Sequence, residues 1–296
     1  MIHEYALEPT AVDTWAELRF FLDQFGIEYG RLISRFPKYW SRLVIEACTE
    51  SGVRRTRFVE RLKNIDAKML RSGRSYEPTM TWLENAERQH AGQPFHAIIA
   101  TQNPNGIPEI IISDDLDENT PLWKVRREIR IARRARDLAT QIAPIIRCSK
   151  EILLVDQNFL PTRDRYQKSI KSILDHGLRG KSSVNRLELH TQDHDDDHWE
   201  HHCITCLCAL VPMGFSLQIF RWRRMPEGDM MHPRFVLTEV GGLSLDYGLD
   251  EGGVGETTKI SLLDQQTYEE YWPDFQEATA AFDLVDIVEV IGTRRV

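Results

Sequence analysis

The 296-residue sequence predicts an α/β protein in which an α-rich N-terminal region, residues 1–148, precedes an α/β domain, residues 149–296. Two observations carry this reading. Apolar residues recur at helical spacing through most of the first half. The second half opens on the apolar run EILLVDQNF, followed in βαβ order by the helix-like RYQKSIKSILDHGL and the strand-like NRLELHTQ. The length suits two domains of about 150 residues, each able to bury its own core.

Taken in order, Trp15, Leu18, Phe21, Leu22 and Phe25 share one helical face, with Asp13 as the expected N-cap. Gly26, Gly30 and Pro37 punctuate the stretch that follows, and Val53, Phe58, Leu62, Ile65 and Leu70 mark a further helix. PFHAIIA and PEIIIS read as two short strands joined by the turn TQNPNGI. A third helix is expected from about Pro121 through LWKVRREIRIARRARDLATQIAPII. Beyond NRLELHTQ, a helix is expected to begin near Asp196 or Asp197 and run through WEHHCITCLCALV. The strands FSLQIFRWRRM, PRFVLTE and GLSLDYGL come next, and a helix and an apolar segment close the chain.

The net charge of -8 is unevenly spread. Residues 1–150 carry 23 Lys and Arg against 20 Asp and Glu, and residues 151–296 carry 14 against 25, so a polyanion-binding surface is expected in the first half. Five cysteines, an odd number with Cys203, Cys206 and Cys208 close together, argue against an extracellular disulfide framework. The first residues show neither a basic n-region nor an apolar h-region, and no window approaches the roughly 20 apolar residues of a membrane span. A cytoplasmic protein is expected.

The stretch MHPRFVLTEVGGLSLDYGLDEGG, beginning at Met231, sets His232, Arg234 and Glu239 in the pattern H-x-R-x4-E. On a strand, His232 and Arg234 would share one face while Phe235 and Leu237 occupy the other. An imidazole beside a cation suits phosphate chemistry, the cation neutralising an oxygen while the imidazole attacks phosphorus or moves a proton. With this motif the chain resembles the phospholipase D superfamily over about residues 150–292, where the signature is H-x-K-x4-D on a strand. Arg234 stands in place of the lysine and Glu239 in place of the aspartate. Where that family usually has a G-S-x-N turn, this chain has YGLD, Tyr247 to Asp250. In this feature it resembles more closely the phospholipase-D-like domain at the C-terminus of proteins with a microtubule-interacting and transport domain, a branch that has lost catalysis and binds acidic phospholipid headgroups.

The resemblance implies a phospholipase-D-like α/β domain and a phosphodiesterase that needs no metal or cofactor. His232 would be nucleophile or acid, Arg234 a phosphate ligand and Glu239 the orienting carboxylate. With a single motif, turnover implies a homodimer that assembles one site from two copies. A nuclease acting in bacterial defence against foreign DNA is the leading expectation. The alternative is a catalytically inactive module that binds phosphate groups of nucleic acid or acidic phospholipid and works through a partner such as an ATPase or nuclease subunit.

Two further clusters bear on function. Arg126, Arg127, Arg130, Arg133 and Arg134, on the expected third helix, would present a basic face to a nucleic-acid backbone, with Glu128 and Asp137 as competing partners. LHTQDHDDDHWEHHCITCLC places His198 and His202 one helical turn apart and Cys203 and Cys206 three residues apart. It matches no zinc signature and reads better as a buried stripe in which cysteine serves as a small apolar residue, so no metal is expected there.

Overall fold

The computed structural model describes residues 1–71 and 73–295. The chain forms two compact units that divide between Arg126 and Arg127, ahead of the expected boundary at 148.

The first unit has more residues in helix than in strand, but it is built around a sheet. Strands β1 (His3–Leu7), β2 (Arg31–Ser34), β3 (Met69–Leu70), β4 (Ala97–Ala100) and β5 (Ile110–Ile112) form a five-stranded sheet in the order β3-β2-β1-β4-β5. Every pairing is parallel. This is a doubly wound α/β unit with helices α1 (Trp15–Gln24), α2 (Trp40–Ala47), α3 (Gly52–Leu62) and α4 (Trp82–Gly92). Tyr5, Leu7, Ile33 and Ile99 pack against Leu18, Phe21, Val44 and Phe58 of α1 to α3. Ala6, Ile98 and Ala100 pack against Leu83 and Ala86 of α4. Strands of two to five residues buried on both faces leave no alternating pattern, and β1 carries His3 and Glu4 at its start. The segments β4 and β5 are strands as expected. They pair in parallel, so TQNPNGI is a crossover and not a hairpin. Helix α1 is capped one residue later than expected, by a capping box between Thr14 and Glu17.

The second unit holds an eight-stranded sheet in the order β13-β9-β8-β7-β10-β11-β12-β6. Its elements in chain order begin with β6 (Glu128–Ala132), α5 (Ala135–Cys148), β7 (Glu151–Asp156), α6 (Asp164–Gly177), β8 (Arg186–Gln192), α7 (Trp199–Leu207) and β9 (Ser216–Arg223). The series continues with β10 (Arg234–Thr238), β11 (Gly241–Leu245), β12 (Thr257–Leu262), α8 (Gln265–Tyr271) and β13 (Asp283–Ile291). Strands β7, β8 and β9 are parallel, and the remaining pairings are antiparallel.

The expected third helix is therefore wrong in its first half. Residues 128–132 form an edge strand, and the helix starts only at Ala135. Ile129 and Ile131 alternate with the exposed Glu128 and Arg130, a period of two hidden inside an arginine-rich stretch. Ile142, Ile145 and Ile146 of α5 are fully buried, each stabilising the unit by about 1.5–3 kcal/mol. Gly177 makes room for the Ile146 side chain, since a Cβ there would lie 2.7 Å from its methyl group. Thus α5 and α6 pack closely, and both start at the end of the sheet where β7 finishes.

Candidate phosphate-binding end of the second unit

Register and connectivity gather distant residues at the carboxyl ends of β7, β8 and β9. Strand β10 runs against β7 with Arg234 opposite Asp156, and β11 returns to the same end, where the turn Tyr247–Asp250 follows. Strand β6 finishes there too, with Ala132 opposite Thr257. Arg133 and Arg134 consequently lie at this end, as do the first turns of α5 and α6 with Arg136, Arg163 and Arg165.

At its centre, Asp156 is completely buried. Its carboxylate accepts hydrogen bonds from the N–H of Leu249 at 2.8 Å and of Asn158 at 3.0 Å. Burial pushes the carboxyl above its ordinary range, against those two bonds and the charge of Arg234. Gly248, at φ +89°, lies directly over the pair: a Cβ would clash with the Asp156 carboxylate and come within 2.9 Å of Arg234 Cδ. Arg234 donates to the Asp246 carbonyl at 3.0 Å, while its Nε is buried without a partner among the described residues. Asp250, 2% exposed, accepts from Arg133 and from Arg165 Nε at 3.1 Å. The Arg133 guanidinium also lies 4.9 Å from the Tyr247 ring centroid. The YGLD turn is thus riveted to the sheet by charge-assisted hydrogen bonds.

The residues of the H-x-R-x4-E pattern are not brought together. His232 precedes β10 instead of lying on it, is exposed, and has no hydrogen bond or ion pair among the described residues. It therefore cannot be assigned the strand face of Arg234. Glu239 follows β10 at the opposite end, where its carboxylate accepts the N–H groups of Lys150 at 2.6 Å and Glu151 at 2.9 Å. Five residues of extended chain put it about 17 Å from Arg234. Glu239 is a backbone anchor for the start of β7 and does not orient His232.

The expected arginine face is redistributed as well. Arg126 is an exposed residue closing the first unit, and Arg127 opens the second. Arg130 projects from β6 directly opposite Lys259 of β12, an arrangement of like charges that is costly unless an anion is near. Glu128 pairs with Lys259 at 3.2 Å, leaving Arg130 without a carboxylate partner among the described residues. Arg133 is committed to Asp250 and Glu256. Arg134 is exposed at the N-cap of α5. Arg136, which belongs to the same arginine-rich run, and Arg163, which the sequence pattern did not single out, are exposed and form no ion pair among the described residues. Asp156 was also missed, although an acid ending the apolar run EILLV is a legible signal, and Asp250 was named only as the end of YGLD.

The histidine and cysteine cluster disperses. His190 is fully buried on β8, where its Nε2 lies 3.1 Å from Glu188 and its Nδ1 accepts the Trp222 indole N–H at 3.0 Å. Burial holds this imidazole below its usual range in spite of Glu188, so it is a neutral, satisfied core group. Cys203 is buried, and burial raises its thiol. His202 pairs with Asp196 at 2.7 Å. Among the described residues no three His, Cys, Asp or Glu side chains gather as metal ligands, and no helix is long and apolar enough to cross a membrane.

No family model matches the chain, and no curated protein matches it. Among solved structures, one described as "Structure of TrmBL2, an archaeal chromatin protein, shows a novel mode of DNA binding" is similar over 58% of this chain and 59% of its own length, at 13% identity and a TM-score of 0.28. A likeness at that TM-score carries no argument about this chain.

Proposed function

We propose that the second unit binds phosphate groups of nucleic acid at the carboxyl end of its sheet and along the adjoining edge strand. The observation that carries this is the set of exposed arginines that form no ion pair among the described residues, Arg127, Arg130, Arg134, Arg136 and Arg163. They lie on β6, at its two ends and around the first turns of α5 and α6, where helix N-termini add positive potential. Arginine offers two parallel donors to a phosphate and remains charged at any physiological pH. Binding is favoured over turnover because His232 has no hydrogen bond or ion pair among the described residues and Glu239 is engaged about 17 Å from Arg234.

The test measures binding of labelled single- and double-stranded DNA and RNA, with anionic phospholipid vesicles in parallel, over a range of salt. Nucleic-acid affinity is expected to fall with salt. Replacing Arg127, Arg130, Arg134 and Arg136 with alanine should flatten that dependence by about 0.9 in log–log slope for each duplex phosphate that the protein no longer neutralises. Unchanged affinity in the quadruple variant would rule this surface out, and binding to vesicles alone would point to lipid headgroups instead. The same samples incubated in EDTA test cleavage. Metal-independent cleavage that disappears in His232→Ala would restore the phosphodiesterase reading, with His232 entering from the loop that leads to this end.

A further inference from the structure

An aromatic ring stands at the same end of the sheet as these arginines. Tyr247 follows β11 and is 55% exposed. Single exposed aromatics are ordinary on a protein surface, but the backbone that carries this one is fixed on both sides. The Asp246 N–H donates to the Lys259 carbonyl at 3.1 Å, and the Asp246 carbonyl accepts from Arg234 at 3.0 Å. Gly248 is packed over Asp156, whose carboxylate also accepts the Leu249 N–H at 2.8 Å. The Tyr247 carbonyl itself accepts from Arg133 Nη2 at 3.3 Å. Among the described residues the ring stacks on no other ring and its hydroxyl forms no hydrogen bond; its one polar neighbour is the Arg133 guanidinium, 4.9 Å from the centroid.

The charges around the ring indicate what it receives. The Gly252 N–H donates to the Arg133 carbonyl at 2.7 Å, and the Ala135 N–H donates to the Glu251 carboxylate at 3.3 Å. The turn is thereby held against the first residues of α5, where Arg134 is exposed and free of ion pairs among the described residues. Of the acids that accompany the ring, Asp250 is paired with Arg133 and Arg165, Glu251 with Lys168 and Glu256 with Arg133. Asp246 is the one acid of the turn with no cation among the described residues. A flat group that carries a phosphate satisfies both features, since a cation beside a tyrosine face favours stacking and the free arginines favour the anion. A nucleobase is such a group. In a duplex its faces are taken by neighbouring bases, whereas an unpaired base can lie on a protein ring.

We propose that Tyr247 is a stacking platform for one nucleobase, and that the second unit therefore takes single-stranded nucleic acid in preference to duplex. The inference rests on the phosphate-binding reading of this end. The arginines supply contacts that any nucleic-acid backbone can meet, and the ring adds a contact that only an unpaired base can make.

The test uses the full chain and strands that differ only in their bases. A DNA and an RNA strand of one sequence are titrated first, followed by the duplex and by a strand of abasic sites that keeps every phosphate. Wild type should bind the intact strand about 5- to 150-fold more tightly than the abasic one. Tyr247→Leu should lower the affinity for the intact strand to that for the abasic strand, and Tyr247→Phe should keep the preference. Equal, salt-dependent affinity of wild type for intact and abasic strands would overturn the stacking platform and leave the phosphate-binding reading standing. A preference that survives in Tyr247→Leu would also overturn it, by placing the base contact elsewhere. Absence of salt-dependent binding to every strand is the failure of the phosphate-binding reading itself, and of this inference with it. Should Tyr247→Leu fail to fold, a single 2-aminopurine in an otherwise abasic strand decides on the wild type. Its fluorescence should be quenched on binding, and unchanged fluorescence in the bound state rules the platform out.

Discussion

Gly248 shows how one residue governs the candidate site. Its positive φ and its place over Asp156 and Arg234 admit no side chain, so Gly248→Ala should cost about 1–3 kcal/mol from strained backbone, with the clash against the Asp156 carboxylate adding to it. A lowered denaturation midpoint at unchanged m-value is the expected result, and an unaltered midpoint would show that the turn is not packed this way. Histidines set the response to acid. His3, His96, His190 and His194 are each held below the ordinary histidine range chiefly by burial, His3 to about 3. Depressed folded-state values mean that the unfolded chain takes up more protons, so stability is complete above about pH 6.5 and is lost as the pH falls from there toward 3. For the fully buried His190 the limiting loss is about 1.4 kcal/mol per pH unit. Urea titrations between pH 7.5 and 5 would reveal it, and flat midpoints across that range would contradict it.

At the scale of the element, β6 makes the clearest case. An edge strand carrying Glu128 and Arg130 on its exposed face, beside Lys259 of β12, has one acid among several cations. Glu128→Gln removes that acid without changing the shape of the side chain. Nucleic-acid binding should then strengthen, with a salt dependence steeper by up to about 0.9 in log–log slope as Lys259 becomes available to a phosphate. Weaker binding would mean that Glu128 orders the strand more than it opposes the ligand. His232 and Glu239 belong to this scale too. A motif whose histidine precedes a strand and whose carboxylate follows it cannot form one site when the two lie at opposite ends of the sheet.

For the molecule as a whole, the division at Arg126/Arg127 assigns β6 and α5 to the second unit. A fragment of residues 127–296 should unfold cooperatively. One of residues 149–296, without β6 and α5, should expose the hydrophobic surface that Ile142, Ile145 and Ile146 cover and bind a hydrophobic dye. Equal cooperativity in the two fragments would place the boundary at 148 after all. Local pattern was enough to define those elements whose periodicity is long and undisturbed: α1, α6, the run β7 and the strands from β9 to β11. The YGLD turn stands out only through the resemblance, and the strand expected over GLSLDYGL overruns it: β11 ends at Leu245, ahead of that turn. The parallel sheet of the first unit, the strand within the arginine-rich segment and the separation of Glu239 from His232 emerged from tertiary packing alone. Their causes are non-local. Short strands buried on both faces acquire their stability from neighbours far away in the chain, and which charges share a site depends on the end of the sheet at which each strand begins.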